Sequence, residues 1–171
     1  EAGLMQAVPI AVDEAMAFGD LTITAFPADH EPVSPAVSYR FDYRGRSVVV
    51  TGDTVVTKRL EDMAKGVDLL LTDALSLPIV SALAAAATDS GRTRIAKILV
   101  DIQDYHASTT DVAALATTSG VKMTALYHMV PAPRNRLLEN VFARDLAASM
   151  VLTEDRMWFS LPAGSSEIEV R

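Results

Sequence analysis

The sequence predicts an α/β domain built on a mixed sheet flanked by helices. Three observations carry that expectation. Strand-period alternation fills the first third, strand and helix patterns alternate from Val55 onward, and 171 residues that are 50% apolar and 22% charged suit one globular unit. No internal repeat, low-complexity run or linker divides the chain, so residues 1–171 read as a single unit with a core of its own.

After a short apolar lead over Gly3 to Phe18, whose role the pattern leaves open, Leu21 to Ala28 alternates as a strand does. Ala36 to Tyr43 and Ser47 to Val50 follow suit around the tight turn Arg44-Gly45-Arg46, which makes an antiparallel run. Val55 to Lys65 reads as an amphipathic helix closed by Gly66, and Val67 to Thr72 as a buried strand. Leu77 to Thr88 and Thr93 to Asp104 are expected helices split by Asp89-Ser90-Gly91. A helix over Thr109 to Ser119, capped by Ser108 or Thr109 and ended by Gly120, feeds the strand Val121 to Tyr127. A helix around Asn135 to Ala147 and closing strands Met157 to Leu161 and Glu167 to Val170 complete the chain.

Charge and composition narrow the partners. Fifteen Lys and Arg against 22 Asp and Glu leave a formal charge of −7, which repels phosphate backbones and anionic lipid, so neither nucleic acid nor membrane is expected. The most apolar stretch, Leu69 to Ala87, is broken by Asp73 and Pro78, falls short of a ~20-residue span and reads as core. The absence of cysteine excludes a disulfide framework, a thiolate metal site and a cysteine nucleophile, and leaves the compartment open.

Without thiolates, neutral imidazole and carboxylate are the ligands to seek, and the chain holds three histidines. His30 follows a strand in Phe26-Pro27-Ala28-Asp29-His30-Glu31-Pro32, Asp53 follows one in Val50-Thr51-Gly52-Asp53-Thr54, and His128 follows one in Ala125-Leu126-Tyr127-His128-Met129-Val130-Pro131. Strand ends at one edge of a sheet converge on a common point, as a metal requires; the plainer alternative is three unrelated loop residues. For His106 the plainer alternative is a helix cap or a surface residue.

The stretch Phe26 to Phe41, with His30, Pro32, Pro35, Tyr39 and Arg40, followed by Val48-Val49-Val50-Thr51-Gly52-Asp53-Thr54, resembles the second half of the metallo-β-lactamase fold family. Gly66-Val67-Asp68-Leu69-Leu70-Leu71-Thr72-Asp73-Ala74, Tyr105-His106-Ala107-Ser108-Thr109 and Gly120-Val121-Lys122 leading to Tyr127-His128 extend the likeness, which is strongest to the ribonuclease Z and arylsulfatase-like branch. The resemblance implies two zinc ions, one ligated by His30 and one by His128, with Asp53 bridging both and a metal-activated hydroxide as the attacking group. It also implies His106 as proton donor to the leaving group, outside the metal set, oriented by Asp73 where relatives carry the longer Glu. Two cations held ~3.5–4 Å apart by a bridging carboxylate suit that chemistry.

The family's His-x-His-x-Asp-His element, which supplies four ligands, is absent from the sequence. Three ligands spread over two zinc ions leave both short of four-coordination. The chain, which opens on Glu1 and not Met, is therefore expected to be the C-terminal half of a metallo-β-lactamase-type αββα sandwich, inactive alone. Its inner sheet face should require a cover, either the missing N-terminal half or a second copy of the chain, so an oligomer or complex is expected. The intact protein would hydrolyse a small-molecule ester, phosphodiester or sulfate ester. Alternatives are a non-catalytic half-domain with an assembly role, and a site that binds without turnover. Ribonuclease Z enzymes carry a long arm for tRNA between the positions matching His30 and Asp53; here Glu31 to Gly52 is filled by two strands and a turn, which with the acidic charge argues against tRNA processing. Met123, Met129, Met150 and Met157 read as core filling, Trp158 as an anchor of the closing strand, Arg134-Asn135-Arg136 as a solvated helix start, and Gly52 as a residue of unusual dihedral beside Asp53.

Overall fold

The computed structural model describes residues 9–144 and 146–171. Strands β1 (Ala15–Phe18), β2 (Leu21–Pro27), β3 (Val37–Tyr43) and β4 (Arg46–Val50) form an antiparallel meander. Strands β5 (Leu69–Leu75), β6 (Met123–Val130) and β7 (Met150–Leu152) extend it in parallel with β4, so the seven-stranded order follows the chain. The parallel half needs crossovers, which are supplied by α1 (Lys58–Ala64), the hairpin α2 (Leu77–Asp89) and α3 (Thr93–Asp101), α4 (Thr109–Ser119) and α5 (Arg136–Ala143). A separate ribbon pairs β8 (Phe159–Ser160) with β9 (Glu169–Val170). The expected α/β mixed sheet with flanking helices is the fold observed.

Local chemistry sets the boundaries. Thr57 caps α1 by accepting from the Leu60 N–H, so the helix starts three residues later than the pattern from Val55 suggests. Val55 is held elsewhere, its N–H donating to the Asp29 carbonyl. Ser108 caps α4 through the Asp111 N–H, and Gly120 at φ 65° ends it. β1 and β7 escaped the pattern because they are only four and three residues long. Residues 1–8 of the apolar lead lie outside the described residues. Trp158 does not anchor by its ring, which is 74% exposed; its backbone instead exchanges two hydrogen bonds with Arg171.

The helices cover one sheet face. Phe26, Val49 and Leu70 pack with Leu60 and Ala64 of α1 and Leu115 of α4, while Leu126, Ile79, Val112 and Phe142 form a second cluster with Met150. On the other face, cross-strand register aligns Ile23, Phe41, Val48, Leu69 and Met123 in one row and Ala25, Tyr39, Val50, Leu71 and Ala125 in the next. Ile23, Tyr39, Phe41, Val48, Val50 and Leu71 there are only half-buried.

At the amino ends of the parallel strands, Asp68 gathers three elements. It accepts from the Ser47 N–H at 2.8 Å and from Lys122 at 2.6 Å, and it faces Arg46 at 3.3 Å with both side chains about 5% exposed or less. Arg46 also donates to the Ser165 and Glu167 carbonyls, which ties down the closing segment. Burial opposes ionisation of Asp68, but Lys122, the Ser47 amide and Arg46 together hold its carboxyl below the usual range.

Candidate metal centre

All five residues singled out in the sequence meet at the carboxyl edge of the sheet. His30 lies beyond β2, Asp53 beyond β4, Asp73 and His128 near the ends of β5 and β6, and His106 just before α4. The imidazole of His106 stands 5.1 Å from that of His30 and 5.6 Å from that of His128, centre to centre, and His128 Nε2 is 3.4 Å from Asp53 Oδ2.

Each approach has a local cause. Gly52, at φ 67°, turns the chain so that Asp53 leaves the sheet; a Cβ there would sit 3.2 Å from the Val37 carbonyl oxygen. Thr54 then accepts from the Asp29 N–H, clamping the Asp53 loop to the His30 loop. Between Thr72 and Ala74 the β5–β6 register shifts, so that Tyr127 and His128 together oppose Asp73, and His128 takes φ 45°. That bulge aims both side chains at the site. Sequence patterning gave no sign of it, nor of the Tyr105 carbonyl that holds His30.

Hydrogen bonding defines which nitrogens face inward. His30 Nδ1 is 2.9 Å from the Tyr105 carbonyl, which only accepts, so Nδ1 carries the hydrogen and Nε2 presents its lone pair. His106 Nδ1 donates to Asp73 Oδ2 at 2.8 Å, leaving its Nε2 toward the cluster. His106 is 8% exposed and caps nothing, the α4 cap being Ser108. Burial pushes the Asp73 carboxyl above its ordinary value, and His106 pulls it only partly back. Burial likewise raises the Tyr127 phenol, with the charges of Asp73 and Asp53 adding to the effect.

Ligand atoms of His30, Asp53 and His106 all lie within 4.8 Å of one another, a spacing that one cation satisfies. Two imidazoles and a carboxylate suit zinc, and beside them the buried Asp73 Oδ1 has no hydrogen-bond partner. The donor set therefore fits a metal. The spacing admits His106 as readily as a ligand as it does a proton donor, whereas the resemblance places it outside the metal set. His128, 51% exposed in its side chain, joins through Asp53.

Fold and site together define an α/β domain with a candidate metal centre at the ends of its parallel strands. The chain belongs to the β-lactamase superfamily: the family described as Beta-lactamase superfamily domain matches residues 1–129. A protein named Ribonuclease Z from Mycobacterium avium is 33% identical over 138 residues, which are 79% of this chain and 45% of that protein. The chain thus spans about half the length of its relative. Among solved structures, the metallo-beta-lactamase fold protein YhfI from Bacillus subtilis superposes with TM-score 0.60 at 16% identity, over 87% of this chain and 53% of that one. Zn(2+)-bound PqqB from Methylobacterium extorquens gives 0.55 at 17% identity, over 85% and 49%. Likeness at that identity speaks to the fold alone.

The relative overturns one expectation. Exclusion of nucleic acid rested on the net charge and on the short Glu31 to Gly52 connection, yet a chain similar over four-fifths of this one is named as a ribonuclease. A net charge is a sum over the whole surface, and the field at a cation-binding cleft is set locally. Membrane spanning is a separate matter: among the described residues no helix is long and apolar enough to cross a bilayer.

Proposed function

We propose that this chain is the metal-site-bearing C-terminal part of a zinc-dependent phosphodiesterase acting on RNA in the manner of ribonuclease Z. The observation that carries the reading is the convergence of His30, Asp53, His106 and His128 from four separate segments onto one strand edge, with His30 held by the Tyr105 carbonyl and His106 by Asp73. The name of the Mycobacterium avium relative supports the substrate class.

In this reading His30, Asp53 and His128 would hold the zinc, with Asp53 standing between the two imidazoles. Bound zinc supplies charge neutralisation at the phosphate and a lowered water pKa. The chain's own residues do the rest. His30 is fixed by Tyr105 in the tautomer that offers Nε2, and the Gly52 turn presents Asp53 to both neighbours. His106, its ring oriented by Asp73, gives a proton from Nε2 to the departing oxygen. The ligands still needed come from a segment preceding this chain, which also covers the half-buried row through Phe41 and Val48. Three ligands for two ions, and an apolar sheet face at about 25 cal/mol per Å², both call for that complement.

The test uses the protein at its natural length, loaded with zinc and given an RNA bearing a 3′ extension. Cleavage that disappears with chelator, returns with zinc, and is lost with much of the bound metal in Asp53→Ala is the expected result. Wild-type turnover by Asp53→Ala with two zinc ions bound would overturn it.

A further inference from the structure

Three rings meet at the candidate metal centre. The ring of Tyr105 lies 4.9 Å from that of His30, centre to centre, with the planes at 86°, and 5.2 Å from that of His106, while the two imidazoles stand 5.1 Å apart. The reaction proposed above uses Tyr105 only through its carbonyl, which holds His30. Its side chain is half-buried and belongs to neither apolar cluster of the core, and its hydroxyl takes part in no hydrogen bond among the described residues. Such a ring is available to a bound molecule. Backbone contacts on both sides fix where it stands. Upstream, the Gln103 amide donates to the Leu99 carbonyl at 2.8 Å and closes the turn Ile102–Asp104. Downstream, the Leu75 N–H donates to the Ala107 carbonyl at 2.7 Å and Ser108 bridges to Leu75, which lays the segment along the end of β5. A tyrosine on so fixed a backbone loses little freedom when a ligand packs on it.

We infer that the Tyr105 ring is the stacking platform for the nucleobase on the leaving side of the scissile phosphate, and so a specificity-determining residue. A proton passed from His106 must reach an oxygen beside His106, and the nucleoside that carries this oxygen then lies against the ring 5.2 Å from the same imidazole. In the proposed reaction the inward nitrogens of His30 and His106 serve the cation and the proton, which leaves Tyr105 to offer an apolar face at that place. Stacking needs no positive charge and accepts any base, so it suits a chain of net charge −7. The inference rests on the hydrolase reading and adds to it the group that holds the leaving side of the substrate.

The test uses the zinc-loaded protein at natural length and pairs of RNAs identical except for one abasic nucleotide, placed on one side or the other of the cut. The ends of the products identify which nucleotide carried the departing oxygen. For the wild type, removing that base is expected to lower kcat/KM about tenfold, and removing the base across the cut to do far less. Tyr105→Phe, which keeps the ring, should behave as the wild type does. Tyr105→Leu, which keeps bulk beside His30 without an aromatic face, should cleave the intact and the abasic RNA at nearly equal rates. An uncleavable RNA, with a methylene in place of the departing oxygen and 2-aminopurine on that nucleotide, should lose fluorescence on binding the wild type and keep it on binding Tyr105→Leu. A wild type indifferent to the base overturns the inference, as does a Tyr105→Leu variant that loses the same factor on both RNAs, the mark of a ring that only props His30. A zinc-loaded wild type that cleaves no RNA removes the hydrolase reading and this inference with it.

Discussion

His106 Nδ1 lies 2.8 Å from Asp73 Oδ2, with the two side chains 7% and 0% exposed. Such a pair is screened little by water, so the hydrogen bond fixes the imidazole more firmly than a surface carboxylate would. The bond also orients the ring, leaving Nε2 as the atom that faces His30 and His128. In the proposed reaction Asp73 is the positioning residue and His106 the proton donor.

His106→Ala is accordingly expected to keep its zinc and lose rate by roughly 10²–10⁴-fold, with the greatest loss on substrates whose leaving groups most need a proton. Asp73→Asn should follow the same leaving-group trend more mildly. Zinc content and rates on activated and unactivated phosphodiesters check both. Loss of metal in His106→Ala would make this residue a ligand, and equal loss on both substrates would deny it the proton.

The Asp68 network predicts acid lability. Its carboxyl is held below the ordinary range, so the stability it confers is fully present above the unfolded value, about 3.9, and is lost as pH falls through the folded value. Asp68→Ala leaves Arg46 buried and unpaired, a change expected to cost about 3–5 kcal/mol. Denaturant titrations near neutrality and below about pH 4 should show the difference from wild type narrowing only in the acid range.

Gly52→Ala tests the turn that presents Asp53. With φ at 67° and the Val37 carbonyl 3.2 Å from the added carbon, the variant should lose about 1–3 kcal/mol and bind zinc less tightly. Stability with unaltered zinc affinity would detach the turn from the metal site.

Produced alone, the 171-residue chain is expected to bind zinc weakly and to lack turnover, since its ligands do not complete two sites. Metal titration and an RNA cleavage assay decide this. Two tightly bound zinc ions and full activity would end the half-domain reading.

Much of this was legible in the residues. Alternation around Arg44-Gly45-Arg46 located the antiparallel strands because one face packs on helices while the other stays half in water. His30, Asp53 and His128 were visible because each stands just after an apolar run, and cap chemistry at Ser108 marked α4. What stayed hidden depends on tertiary contact. No local pattern announces that Tyr105 offers its carbonyl to His30, that Trp158 faces solvent, or that Lys122 reaches Asp68 from 54 residues away. Net charge misled about nucleic acid because it discards position.

The extra residue in β6 also shifts the phase of the strand. Before it, Thr124 and Leu126 face the helices; after it, Met129 does, packed against the cluster that holds Leu126 and Phe142. Odd positions thus take over from even ones, and His128 falls at the crossover. Flattening the bulge at unchanged length would restore strict alternation and, in doing so, turn Met129 out of the core. The strand beyond Leu126 therefore keeps its apolar register only while the bulge that aims His128 is kept, so the geometry of the metal site and the packing beneath α5 are inherited together.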